Sequence, residues 1–121
     1  MELILTMPNL LPSEPYAEII YESVKKTYNN NDVKIAAEFI TSFLISKIPV
    51  KITKNFLLNF VLNKLTSWTD VIKPTYVEAW GWRTYSYSEK CYIYYVTLVH
   101  YSDSSFTKPI HTSVIEVKRE Y

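Results

Sequence analysis

The chain has a single glycine among its 121 residues, Gly81. Neither a P-loop nor a dinucleotide-binding fingerprint can be built from one glycine, so nucleotide-dependent enzymes of those classes are excluded. It has a single cysteine, Cys91. That rules out an internal disulfide and any Cys-rich zinc site, and it fits a reducing compartment. No apolar run reaches the roughly 18 residues needed to span a bilayer. The N-terminal "MELILTMPNLLPSEP" has an acidic second residue and no basic n-region, a poor match to a signal peptide, so the expected location is cytoplasmic. Charge of one sign is also lacking, with 13 basic against 12 acidic residues. The isoelectric point near 7.8 falls short of the value above about 9 typical of a nucleic-acid-binding domain, leaving room for a local basic patch only. Glutamine is absent, and tyrosine, isoleucine and lysine abound. This points to an AT-rich, heat-adapted source such as a virus or plasmid. Asn29-Asn30-Asn31 argues against heat adaptation, asparagine being thermolabile.

What is present is hydrophobic matter: 48% of residues, with 16% aromatic. One domain spanning 1–121 is expected, large enough for a sizeable core. Residues 1–12 read as an arm or short strand around Leu3, Ile4 and Leu5. Residues 13–68 read as three helices. The first starts at Ser13, with Tyr16, Ile20, Val24 and Tyr28 recurring every four residues as its apolar stripe. Asp32 can cap the second, which runs to about Ser46 with Ile35, Ala36, Phe39, Ile40, Phe43 and Leu44 facing inward, and Pro49 forbids its continuation. Thr53 caps the third, "KNFLLNFVLNKLTSW", where a narrow asparagine strip leaves apolar residues around most of the circumference and predicts a buried helix.

From Pro74 the period changes to two, predicting strands over 75–86, 90–101 and 110–120. The fold class is therefore α+β: three N-terminal helices packed on one face of a three- to four-stranded antiparallel meander. In element order this resembles the cystatin-like and nuclear-transport-factor-like architectures, which commonly dimerise through the sheet or enclose a small-ligand pocket.

A tight turn centred on Ser88-Glu89 pairs Trp82 with Tyr95, Trp80 with Thr97 and Thr84 with Ile93 on one face. On the other it pairs Arg83 with Tyr94, Gly81 with Val96, Ala79 with Leu98 and Tyr85 with Tyr92. A register shifted by one residue changes the partners, and the sequence leaves the choice open, but neither face is polar in either, whereas a sheet wet on one side should alternate. Each large aromatic buries roughly 150–250 Å², so several left in water would form an aggregation-prone patch. The second face is then covered by the chain itself, by a partner, or by curling around a cavity. Three short helices suffice for one face, which favours a partner. The expected function is a small non-enzymatic interaction protein, homodimeric or binding a protein partner through Trp80, Trp82, Tyr85, Tyr92, Tyr94 and Tyr95. Gly81, between two tryptophans, predicts a bulge or a bare site under a cross-strand aromatic.

An alternative is a helix-turn-helix DNA-binding regulator. "FLISKIPVKITKNFLLNFVLNKL" reads as helix, turn, helix, with Lys51, Lys54, Asn55 and Asn59 at the start of the second. Catalytic chemistry is poorly served. Cys91 and His100 are nine residues apart on one strand, on opposite faces. His100, Asp103 and His111 gather near one end of the sheet but match no zinc spacing, and Asp103 more simply closes an Asx-turn. Glu78 and Glu116 are the one pair of strand carboxylates considered for acid–base work. No catalytic, metal or cofactor site is assigned.

Overall fold

The computed structural model describes residues 18–19 and 23–121. The expected arm at 1–12 and the start of the expected first helix lie outside them. The order of elements is β1 (Glu18–Ile19), β2 (Val24–Tyr28), a 3-10 turn (Asn30–Asp32), α1 (Val33–Lys47), α2 (Lys54–Trp68), β3 (Thr75–Ser86), β4 (Cys91–Tyr101) and β5 (Pro109–Glu120).

Where a first helix was expected, residues 24–28 form a strand, and β1 and β2 both pair antiparallel with β3. Both therefore lie on the same edge of β3, and among the described residues the sheet has four positions: β1/β2, β3, β4, β5. The reason is arithmetic. A spacing of four fits a helical stripe, but it is also even, so Val24 and Tyr28 share one face of a strand equally well. Val24 and Thr27 are β-branched and Tyr28 is aromatic, which favours the pleated form. Tyr28 also donates its hydroxyl to the carbonyl of Leu65 at 2.8 Å, tying β2 to the end of α2.

Among the described residues there are two helices rather than the three expected, and they form a layer on one face of the sheet, so the α+β class with an antiparallel sheet holds. Asp32 occupies the N-cap of α1, but its side chain makes no capping bond. The helix closes with Ile48 N–H on the carbonyl of Leu44 at 3.0 Å, just before Pro49. Inward residues of α1 are Ala36, Ala37, Ile40, Thr41 and Leu44. Ile35 and Phe39, expected inward, are exposed, and Phe43 is half-buried. In α2 only Leu57, Val61 and Leu65 are fully buried, a seam at spacing four rather than the all-round burial expected; Phe56 is exposed. A helix lying on a sheet has one covered face, whatever its composition.

The hairpin has the expected register, Trp82 opposite Tyr95 and Trp80 opposite Thr97, closing with Ser86 opposite Cys91. The turn takes Lys90 to a positive φ of 56°. Gly81 forms no bulge. It lies in regular ladder opposite Val96 with no positive φ, beside Ala79 on the helix-facing side. Two buried clusters result. One holds the helices against Tyr28, Val77, Ala79, Tyr94, Val96 and Leu98. The other, on the opposite face, comprises Trp80, Trp82, Val99 and Tyr101, with Tyr76, Tyr95, Phe106 and Val114 packed around it.

The second cluster places the two tryptophans of the hairpin in a core of their own. Trp80 is 1% exposed and Trp82 0%, within a single chain. Part of the cover is the β4–β5 loop, which brings Phe106 edge-on to Tyr76 and Tyr101 at centroid distances of 5.8 and 5.6 Å. Its backbone needs a positive φ of 55° at Phe106 to do so. As expected, Asp103 holds this loop, accepting from Thr107 N–H at 3.0 Å and Lys108 N–H at 2.9 Å. Among the described residues no helix is long and apolar enough to cross a membrane.

Candidate functional site

The six aromatics proposed as one contact surface are distributed over both faces. Trp80, Trp82 and Tyr95 lie on the face away from the helices, where Trp82 stacks on Tyr95 at 4.3 Å and donates its indole N–H to Thr97 Oγ1 at 2.9 Å. Tyr85, Tyr92 and Tyr94 lie on the helix side near the hairpin tip. There the Arg83 guanidinium sits over Tyr92 at 4.2 Å and donates to the Tyr94 hydroxyl at 3.2 Å. Trp80, Trp82 and Tyr94 are buried, Tyr85 and Tyr95 half-buried, and Tyr92 exposed. They are mainly core, and no shared face presents them.

The nucleic-acid candidates Lys51, Lys54, Asn55 and Asn59 are all exposed, at the start of α2 and in the turn before it. Lys51, Phe56 and Lys118 line a shallow depression between this end of α2 and β5.

Cys91 is buried and unbridged, on the strand face opposite to that of His100. Glu78 and Glu116 do not form a pair. Glu78 is buried on the tryptophan face, accepting from Tyr101 Oη at 2.6 Å and from Ser23 Oγ. Glu116 lies on the surface of β5 in an ion pair with Arg119 Nε at 2.8 Å. Arg119 also reaches Glu89 in the hairpin turn.

The most chemically specific grouping contains His100 and His111, whose spacing with Asp103 matches no zinc pattern. His100 on β4 lies directly opposite His111 on β5, with their Nδ1 atoms 3.0 Å apart. Trp68, at the end of α2, has its indole nearly parallel to both rings, at 5.7 and 5.9 Å. Below, Trp68, Asp70, Lys73, Pro74 and His100 enclose a depression of about 120 Å³. Burial lowers the pKa of His100, and the neighbouring His111 and Lys73 lower it further, against the opposing charge of Asp70. Asp103 does not join, being committed to its own loop. Cross-strand pairing was the legible signal, since His111 on the next strand can approach His100; the contribution of Trp68, from a helix 32 residues earlier, was not.

A second exposed feature went unseen. On the outer side of α1, Ile35 is 63% exposed and Phe39 47%. Lys26 Nζ stands over the Phe39 ring at 4.8 Å and Lys47 Nζ over that of Phe43 at 5.7 Å. Comparisons with family models, with curated proteins and with solved structures found no match for the chain.

Proposed function

We propose that the chain is a small non-enzymatic interaction protein that forms a homodimer through the outer face of α1. The observation that carries this reading is the apolar ridge Ile35–Phe39–Phe43 at spacing four, with Ile35 and Phe39 exposed. It begins beside Asp32 and ends at Lys47. This ridge is self-complementary. A two-fold axis through Phe39 sets Phe39 against Phe39 of a second copy, Ile35 against Phe43, and the acidic start against the basic end, twice. Ridges at spacing four are those that interlock in the commonest helix–helix packing. The aromatic sheet residues then serve as the rigid core beneath this surface.

Light scattering at micromolar to hundred-micromolar concentration tests it. A dimer is expected, reduced to a monomer by Phe39→Asp with the circular dichroism unchanged. Lys47→Glu is expected to weaken the dimer and Lys47→Glu with Asp32→Lys to restore it. A wild-type monomer throughout that range overturns the reading.

The DNA-binding reading has one supporting observation. Lys51, Lys54, Asn55 and Asn59 are exposed together, and the first turn of α2 contains no acidic residue. It predicts a salt-dependent mobility shift with duplex DNA that Lys54→Glu weakens. No shift at low salt ends it.

A further inference from the structure

His100 and His111 sit apart from the α1 ridge, on neighbouring strands that fix both Cα positions. Their ring centroids are 5.2 Å apart with planes within 16°, against only 3.0 Å between the Nδ1 atoms. The rings therefore meet edge to edge, each turning Nδ1 towards the other. At neutral charge one Nδ1 donates and the other accepts.

Two imidazole nitrogens held at this separation have the bite of a chelate. With metal–nitrogen bonds of about 2.0–2.1 Å, a 3.0 Å bite closes an angle of about 91–97° at the metal. That is the cis angle of a tetragonal site, the geometry of Cu(II) and Ni(II), and is narrower than a tetrahedral zinc site prefers. We propose that His100 and His111 form a bidentate site for a tetragonal divalent transition metal, Cu(II) above Ni(II), with water or an exogenous ligand in the remaining positions. Entry of the metal needs no net loss of protons. The donating ring moves its proton from Nδ1 to Nε2, and both Nδ1 lone pairs then face the ion. Each ring turns outward by about 40–45°, so that its lone pair leaves the N···N line and meets the other's at a common point. No third His, Cys, Asp or Glu converges on the pair among the described residues, so the site has two protein donors and open positions. Trp68, lying against both rings, holds the plate in place and reports on it.

The test uses untagged, chelator-stripped protein titrated with CuCl₂ and NiCl₂, read by calorimetry and tryptophan emission. One Cu(II) per chain is expected, bound more tightly than Ni(II), with quenching of Trp68. His111→Ala, at an exposed position, is expected to weaken Cu(II) by at least about tenfold, and His100→Gln with His111→Gln to abolish the one-to-one event. Trp68→Phe is expected to retain binding while losing most of the quenching. Phe39→Asp is expected to bind Cu(II) as wild type does, which separates this site from the dimer surface. Wild-type affinity in His111→Ala or in the double variant overturns the proposal. So does the absence of saturable binding below millimolar Cu(II).

Discussion

Tyr101 donates its hydroxyl to Oε1 of Glu78 across 2.6 Å, between adjacent strands of the buried tryptophan face. Ser23 donates to the other oxygen, so one carboxylate ties the approach to β2, β3 and β4 together. Burial raises the pKa of the phenol, and the carboxylate it donates to raises it further. A buried charge is tolerable only while its hydrogen bonds are made. Tyr101→Phe is therefore expected to cost about 1.5–3 kcal/mol, the range for a hydrogen bond to a charged group. Urea denaturation measures it. A loss of only a few tenths would mean that the carboxylate is satisfied without Tyr101.

Two buried threonines on that same face make a paired prediction. Thr97 Oγ1 accepts the indole N–H of Trp82, whereas Thr84 Oγ1 is buried with no hydrogen-bond partner among the described residues. Replacing either by valine conserves shape. Thr97→Val orphans a buried N–H and is expected to destabilise by about 1–3 kcal/mol. Thr84→Val removes a hydroxyl that already lacks such a partner, and is expected to be neutral or stabilising. Thermal melts of the two variants side by side decide this, and equal losses would contradict the assignment.

Much of this was legible from residue pattern. The helix Lys54–Trp68 and the strand Thr75–Ser86 follow from periodicity. The hairpin register does not, because a shift by one residue also leaves both faces apolar; the structure has the register of the Ser88-Glu89 turn. What failed did so for two physical reasons. A spacing of four does not distinguish a helix from a strand, and this cost the element at Val24–Tyr28. Hydrophobicity also does not reveal which apolar residues a neighbour will cover. Ile35 and Phe39 look like core and are surface, while Trp80 and Trp82 look like surplus surface and are core. The histidine pair was half visible. The strand order brings His111 to His100, but Trp68 reaches them only through the packing of α2.

The Arg119 network predicts almost nothing for stability, which is itself testable. Arg119 bonds Glu116 and Glu89, but all three side chains are more than a third exposed. Surface pairs contribute about 0–1 kcal/mol and are screened by salt. Glu89→Ala is expected to shift the urea midpoint only marginally, less still at high salt. A large loss would show that the pair pins the hairpin turn to β5.

His100 gives the molecule a pH dependence whose sign is determined by its surroundings. Burial, His111 on β5 and Lys73 in the α2–β3 connection all disfavour its charged form, with Asp70 in that connection partly compensating. Its folded pKa therefore lies below the value of about 6.5 that it takes in the unfolded chain. Between those two values the unfolded chain holds more protons than the folded one, so unfolding becomes easier as pH falls. Stability is expected to be steady above about pH 7. It should decline as pH drops through the unfolded value, and this contribution levels off once His100 is protonated in the folded chain too. Urea midpoints measured from pH 7.5 to 5 with a chelator present should show that decline, and His100→Gln should remove its part of it. A wild-type midpoint that rises on acidification through this window would mean that His100 gains a negative partner on folding, with Asp70 outweighing both burial and Lys73.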